Sequence, residues 1–254
     1  MLTLIGLGLN DEYDLTLRGI DAAKEADKVY CEFYTGKWAG SVENLQELVK
    51  NQVFMLKRAD MEEGSGRILE EAKSKKVVIF TQGDPMVATT HATLLVEARK
   101  LGIETRIIHN SSIFSAVAET GLHVYKFGAT VTVPFMEKTM GKLPKSVYNL
   151  IGENKSRGLH TLCLLDINSD ATGFMTPTQA VDILLAMERE FGEGVIGPSQ
   201  KVVVLCKAGG KSQIFYEEIE AFQIGSIEST PSVLVLPGKL HFTEEDYLQK
   251  FKSS

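Results

Sequence analysis

Residues 77–90 read VVIFTQGDPMVATT, and the fold turns on how they are interpreted. The apolar run Val77, Val78, Ile79, Phe80 stops at Thr81-Gln82-Gly83-Asp84-Pro85, the pattern of a buried strand ending in a turn. Gly83 reaches backbone angles closed to other residues and Pro85 fixes the chain just beyond, so Asp84 is held between them. Two readings of Asp84 stand open. It caps a following helix, as Asp-Pro pairs often do. Alternatively it presents a carboxylate at the carboxyl end of a strand, where open α/β sheets bind ligands.

Working outward, the pattern repeats. Leu2 to Ile5 form a short strand that runs into Gly6-Leu7-Gly8-Leu9-Asn10-Asp11, where two glycines let a ligand approach the backbone. Leu15 to Ala26 carries Leu17, Ile20 and Ala23 at helical spacing, with Thr16 placed to cap it. Strands are expected at Val29–Tyr34, Val53–Leu56 and Thr105–His109. Helices are expected around Leu45 and Leu48, over Ile68–Ala72, and over His91–Lys100 ahead of Gly102. Alternating strands and helices make this half α/β with a mostly parallel sheet. Asn110 to Ala118 leaves the last strand through Ser111 and Ser112 and re-enters helix.

From Gly121 to Gly128 the pattern loosens, which places a domain boundary near Tyr125: residues 1–124 form one α/β domain and 125–254 a second. The second half has strands at Thr130–Pro134, Thr161–Asp166, Lys201–Lys207 and Ser232–Leu236. A helix opens at Thr176-Pro177-Thr178-Gln179, with Thr176 as N-cap, Pro177 in the first position and Gln179 completing a capping box. Gly192 to Ser199 reads as a glycine-rich surface loop.

Composition narrows the function. The 254 residues are 44% hydrophobic and 24% charged, an ordinary globular balance. A net charge of −6 argues against general nucleic-acid binding, which leans on a basic surface. No apolar stretch approaches membrane-spanning length and no signal pattern opens the chain. Cys31, Cys163 and Cys206 lie far apart in apolar runs, as buried reduced thiols do. This is the profile expected of a cytoplasmic protein.

The chemistry-bearing motifs are few. Gly6-Leu7-Gly8 invites a nicotinamide-binding reading with Glu32 as ribose acid, but Asp11 occupies the position of the third glycine. Sequences of the HExxH, Walker and GxSxG types are missing. His91, His109, His123, His160 and His241 are scattered without metal-ligand spacing, and read as packing or surface residues. What remains is a set of strand-end turns rich in Gly, Ser and Asp. They suit a protein that holds an activated cofactor and catalyses by positioning.

Taken together, IGLGLND (5–11), GDPMVATTHATL (83–94), IHNSSIFSAV (108–117), LHVYKFG (122–128), RGLHTLCLLDI (157–167) and LPGKLH (236–241) resemble the diphthine synthases. The GDP and glycine turns alone indicate only the broader tetrapyrrole-methylase class. The resemblance implies two α/β domains with mostly parallel or mixed sheets and a cleft between them for S-adenosyl-L-methionine, with S-adenosyl-L-homocysteine as product. It implies a homodimer without a metal. The acceptor would be a histidine of translation elongation factor 2 carrying a 3-amino-3-carboxypropyl group, whose amine is methylated to give diphthine. Archaeal members make the trimethylammonium, and eukaryotic members add a methyl ester.

By the same similarity, cofactor contacts fall on Leu9, Asp84, Val87, Ser112, Ile113, Leu165, Ala208 and Ser232. Relatives often carry a histidine at the position of Ser232, and Gly209-Gly210 follow Ala208. A sulfonium is already a good methyl donor, so such an enzyme must align the groups, exclude water and receive a neutral amine. No general base is identifiable from the sequence. Lys126, His123 and Lys138, near the domain junction, are candidates for contact with the factor. A tetrapyrrole-ring methylase of the same fold is the alternative, and a nicotinamide oxidoreductase a more distant one.

Overall fold

The computed structural model describes residues 1–34, 36–62, 64–168, 173–224 and 227–251. In chain order its elements are β1 (Leu2–Gly6), α1 (Leu17–Lys24), β2 (Lys28–Glu32), α2 (Val42–Val49), β3 (Val53–Leu56), α3 (Arg58–Glu62), α4 (Ser65–Ser74), β4 (Val77–Thr81), α5 (His91–Lys100), β5 (Thr105–Ile108), α6 (Ile113–Ala116), β6 (Val131–Val133), α7 (Lys145–Ser156), β7 (Thr161–Leu165), α8 (Pro177–Phe191), β8 (Lys201–Cys206), β9 (Gln213–Glu218), α9 (Ala221–Ile224), β10 (Ser232–Leu236) and α10 (Phe242–Leu248). Two compact units divide the chain after Ala116. The division precedes the expected Tyr125, because the single turn Val117–Thr120 packs against β8 of the second unit.

In the first unit the strands run parallel in the order β3-β2-β4-β1-β5. Alternation sorts their side chains onto two faces. Leu2, Leu4, Tyr30, Val77 and Ile79 meet α4 and α5 through Ile68, Leu69, Leu94, Leu95 and Ala98. Ile5, Val29, Cys31, Val78 and Phe80 meet α1 and α2 through Ile20, Ala23, Leu45 and Val49. Covering both faces explains why Val77–Phe80 is apolar without alternation. Each such side chain, fully buried, is worth roughly 1.5–3 kcal/mol. Leu17, read as part of the packed stripe of α1, is instead 81% exposed at its first position.

This sheet disposes of the nicotinamide reading. Dinucleotide-binding sheets place β1 next to β2, whereas here β4 lies between them. Asp11, in place of the third glycine, accepts from Tyr13 N at 3.0 Å and caps the 3₁₀ turn Glu12–Asp14. The glycine turn therefore does not lead straight into a helix N-terminus.

The second unit is a mixed sheet, β6-β7-β10-β8-β9, with only β6 and β7 parallel. Helices α7 and α8 cover one face through Tyr148, Ile151, Val181, Leu184 and Met187. The capping box at Thr176 forms as read, Thr176 Oγ1 accepting from Gln179 N and Gln179 Oε1 from Thr176 N. Gly192–Ser199 is a surface loop, as read, and it is tied down. Glu188 accepts from Gly194 N and Ile196 N at 2.7 Å each, and the Ile196 side chain is buried. The three cysteines are free and buried, and burial pushes the Cys163 thiol up to about 12 and that of Cys206 to about 11, which leaves them unreactive. Among the described residues no helix is long and apolar enough to cross a membrane.

A buried carboxylate clasps this unit together. Glu244 of α10 accepts from His123 N at 2.8 Å and His160 Nε2 at 3.0 Å on one oxygen. Its other oxygen accepts from His241 N at 2.7 Å and pairs with the Lys126 ammonium. Burial alone would raise this acid, but the His241 N–H, the Lys126 ammonium, the His123 N–H and His160 outweigh it and hold Glu244 at about 2. Lys126, read as a docking candidate, is thus occupied here, the His123 ring lies 2.9 Å from Tyr125 Oη, and Lys138 is paired with Asp166 at 2.7 Å. Because Glu244 sits below the ordinary carboxylate value of 4.5, its contribution is full above that value and is lost as the pH falls to about 2. Glu244→Gln is expected to lower the unfolding free energy by about 3 kcal/mol near neutral pH. Denaturant titrations should show the gap between the two proteins closing as the pH falls from 4.5 toward 2.

Candidate functional site

In the first unit, the carboxyl ends of three adjacent parallel strands, β4, β1 and β5, lie side by side. The chain crowds there. A Cβ on Gly6 would overlap the Gly83 carbonyl oxygen and lie 2.7 Å from the Asn110 Cβ. Gly8 and Gly83 exchange backbone hydrogen bonds, Gly83 N to Gly8 O at 2.8 Å and Gly8 N to Gly83 O at 3.2 Å. Both have positive φ, 82° and 63°, a conformation that other residues resist. On its open side Gly83 faces Ser111 O and the Ser112 Cβ, each 3.8 Å from where its own Cβ would stand. The result is a cradle walled by backbone.

Asp84 ties these ends together. Its carboxylate is 6% exposed and accepts from Met86 N at 2.9 Å, Asn110 N at 3.1 Å and His109 Nδ1 at 2.8 Å. Asp84 does not cap α5: that helix starts at His91, behind Thr90, with no side-chain cap. Its own carbonyl accepts from Val87 N at 3.2 Å, which folds the segment back as a turn.

Two residues the sequence reading passed over complete the arrangement. Asp14 Oδ2 accepts from Leu9 N at 3.0 Å and Asn10 N at 2.7 Å, fixing the turn that follows β1. Asn110 Nδ2 donates to Gly6 O at 2.9 Å and Asp14 O at 3.0 Å, and its Oδ1 accepts from Ser111 N at 2.8 Å. Leu9, Asp84, Val87, Ser112 and Ile113 therefore share one sheet edge. Ser112 is buried, and its N–H is satisfied by Ser115 Oγ at 3.2 Å. His109 was also missed: its ring is 70% exposed while its partner Asp84 is buried. The signal for it lay in two strand-end motifs, GDP and HNSS, falling on neighbouring parts of one sheet edge.

The second unit gathers the remaining three positions at one edge of its own sheet. Leu165 ends β7, Ser232 opens β10 opposite Cys206, and Ala208 follows β8. β10 lies between β7 and β8. Lys207 N donates to Pro231 O at 2.8 Å, joining the Ala208 and Ser232 segments. Gly209-Gly210 form a closed turn, Gly210 N donating to Lys207 O at 3.1 Å. Among the described residues, the buried hydroxyls of Ser232 and Thr81 and the buried Nε2 of His91 have no hydrogen-bond partner. Burial lowers the His91 ring, whose Nδ1 lies 3.2 Å from Pro85 O. No group of three or more His, Cys, Asp or Glu side chains is arranged to hold a metal ion among the described residues.

Known proteins share this architecture. The family model for tetrapyrrole (corrin/porphyrin) methylases matches residues 1–221. The diphthine synthase of Methanocaldococcus jannaschii is 44% identical over 253 residues, covering 98% of each chain. That of Methanococcus maripaludis strain C6 is 43% identical over 251 residues, again with 98% of each covered. A crystal structure of diphthine synthase superposes with a TM-score of 0.88 at 38% identity, covering 99% of this chain and 95% of the other. Alike over nearly its whole length in sequence and in fold, the chain belongs to the tetrapyrrole methylase family and, within it, to the diphthine synthases.

Proposed function

We propose that this chain is an S-adenosyl-L-methionine-dependent methyltransferase that methylates the amine of the 3-amino-3-carboxypropyl histidine of translation elongation factor 2, yielding diphthine. The observation that carries the reading is the near-complete likeness to diphthine synthases, 44% identity over 98% of the chain, together with the strand-end cradle of the first unit.

The residues present fit the cofactor. At Gly83 the positive φ keeps the position to glycine, and a Cβ there would come into contact with Ser111 O and the Ser112 Cβ at 3.8 Å. A carboxylate offers about four acceptor sites, and three on Asp84 are filled. One remains for the cofactor. In this reading Leu9, Val87 and Ile113 supply apolar surface, and Ser112, its main chain held by Ser115 and Ala116, shapes the wall beside them. Leu165, Ala208 and Ser232 of the second unit are cofactor contacts by the family likeness alone, and the Ser232 hydroxyl is left without a partner among the described residues. Bound, S-adenosyl-L-methionine would supply an electrophilic methyl group without a metal or a covalent enzyme intermediate. The protein's part is then to hold donor and acceptor in line and keep water out. Homodimerisation and a cytoplasmic location complete the proposal, the latter in keeping with three free buried thiols.

Mass spectrometry of elongation factor 2 bearing the modified histidine, incubated with this protein and S-adenosyl-L-methionine, should show the gain of methyl units on that residue. An unchanged mass, or methylation of a tetrapyrrole instead, would overturn the proposal. Asp84→Asn removes charge while keeping shape, and is expected to weaken S-adenosyl-L-homocysteine binding at least ~10-fold by calorimetry, one charge-assisted hydrogen bond's worth. Asp84→Ala should in addition destabilise the fold by about 2 kcal/mol, because it strands the Met86 and Asn110 N–H groups. Thermal unfolding of the three proteins separates the two effects.

A further inference from the structure

The proposed reaction requires an acceptor amine stripped of its proton, and the structure offers one group in position to take it. The titratable side chains around the carboxyl edge of the first sheet include Asp11, Glu12, Asp14, Asp84 and His109, together with Glu32 and His91, both buried. Asp11 accepts from Tyr13 N and Asn10 Nδ2, and Asp14 from Leu9 N and Asn10 N. Glu12 is buried against Asn44, and Asp84 is buried with three donors on it. His109 differs. Its Nδ1 lies 2.8 Å from Asp84 Oδ2, while its ring is 70% exposed.

A carboxylate that already takes two backbone N–H groups accepts from the imidazole as well, so the ring's proton belongs on Nδ1. Nε2 is left with its lone pair facing outward, and no hydrogen bond from the described residues fills it. Asp84 is itself fixed by Met86 N and Asn110 N. The ring is therefore aimed by a rigid anchor, the arrangement by which a buried aspartate orients a histidine base and stabilises the imidazolium it becomes. Imidazole is also the side chain whose ordinary basicity lies closest to neutral pH.

We propose that His109 is the general base of this enzyme, and that Asp84 is its orienting partner as well as a cofactor contact. The inference rests on the methyltransferase reading above. The step is a proton transfer: the N–H bond of the acceptor ammonium breaks, its electron pair stays on the amine nitrogen, and the proton bonds to His109 Nε2. The lone pair so freed is the nucleophile that methyl transfer needs. The imidazolium, paired with Asp84, then returns its proton to water through its exposed edge, ready for the next transfer.

Three measurements on the full-length protein test this. In His109→Ala, single-turnover methyl transfer to the modified factor should fall about 10²–10³-fold, with S-adenosyl-L-homocysteine affinity by calorimetry held within about 2-fold. Added imidazole should restore at least ~10-fold of the lost rate, since it supplies the missing base. His109→Gln keeps an N–H donor for Asp84 but no base, and should be as slow as the alanine variant. In ¹⁵N NMR of the wild-type protein, the neutral His109 ring should carry its proton on Nδ1. Near wild-type rates in either variant would overturn the inference. So would a rate loss matched by a loss of cofactor affinity and untouched by imidazole, or a ring protonated on Nε2. A wild-type protein that leaves the factor unmethylated would instead refute the proposed function itself.

Discussion

The first unit depends on how closely the carboxyl ends of β1 and β4 approach each other. Parallel pairing runs from Leu2–Val77 to Gly6–Thr81 without a break, and beyond it the Gly8–Gly83 bridge continues the contact in the opposite sense. Only a chain without a Cβ at position 6 leaves room for the Gly83 carbonyl. That approach brings Asp84 under the end of β5, within reach of the Asn110 N–H and the His109 ring. It also lets Asn110 span from Gly6 to Asp14. Strand pairing, turn geometry and site chemistry are here one constraint.

Much of the fold was legible because it rests on local rules. His91–Lys100 and Val53–Leu56 coincide with α5 and β3, since both are short apolar patterns with clear ends. The Thr176 box was legible for the same reason. Other elements hide their signals. Helix α7 starts behind Pro144 without a side-chain cap and carries Gly152 and a buried Asn154. That asparagine donates to Ala129 O at 2.8 Å and accepts from Ala129 N at 3.0 Å, so a polar residue occupies a packed position. Strand β9 pairs only with β8, at the sheet edge, and mixes charge with its apolar residues. Helix α10 begins with His241 as N-cap, a residue that announces no helix. Strand order is non-local by nature, and the insertion of β4 between β1 and β2 left no trace in periodicity.

The site divides in the same way. Turns rich in Gly, Ser and Asp were visible as turns, and the family motifs assigned Leu9, Asp84, Ser112 and the others to a cofactor. What could not be read was who holds whom. Asp84 and His109 are 25 residues apart, and Asn110 reaches Asp14 across 96 and Gly6 across 104. Such pairs exist only once three strands have been laid side by side. His109 and His160 looked like packing or surface residues because their partners, Asp84 and Glu244, are carboxylates distant in the chain.

The two units in fact use the same device with opposite outcomes. In each, a buried carboxylate takes backbone N–H groups from separate segments and one imidazole nitrogen. In the second unit the ring is His160, wholly buried, with Nε2 on Glu244 and Nδ1 accepting from Gly238 N at 3.0 Å. Protonating Nδ1 would break that last bond inside the core. Burial in fact lowers this histidine, even against the pull of Glu244. Both of its nitrogens are consumed, so it can only hold the fold together. In the first unit the ring is His109, with one nitrogen anchored on Asp84 and the other side in solvent. An anchored ring with a free lone pair can exchange a proton without breaking an internal hydrogen bond. The unused nitrogen, more than the histidine–carboxylate pair itself, separates a structural clasp from a group able to do chemistry.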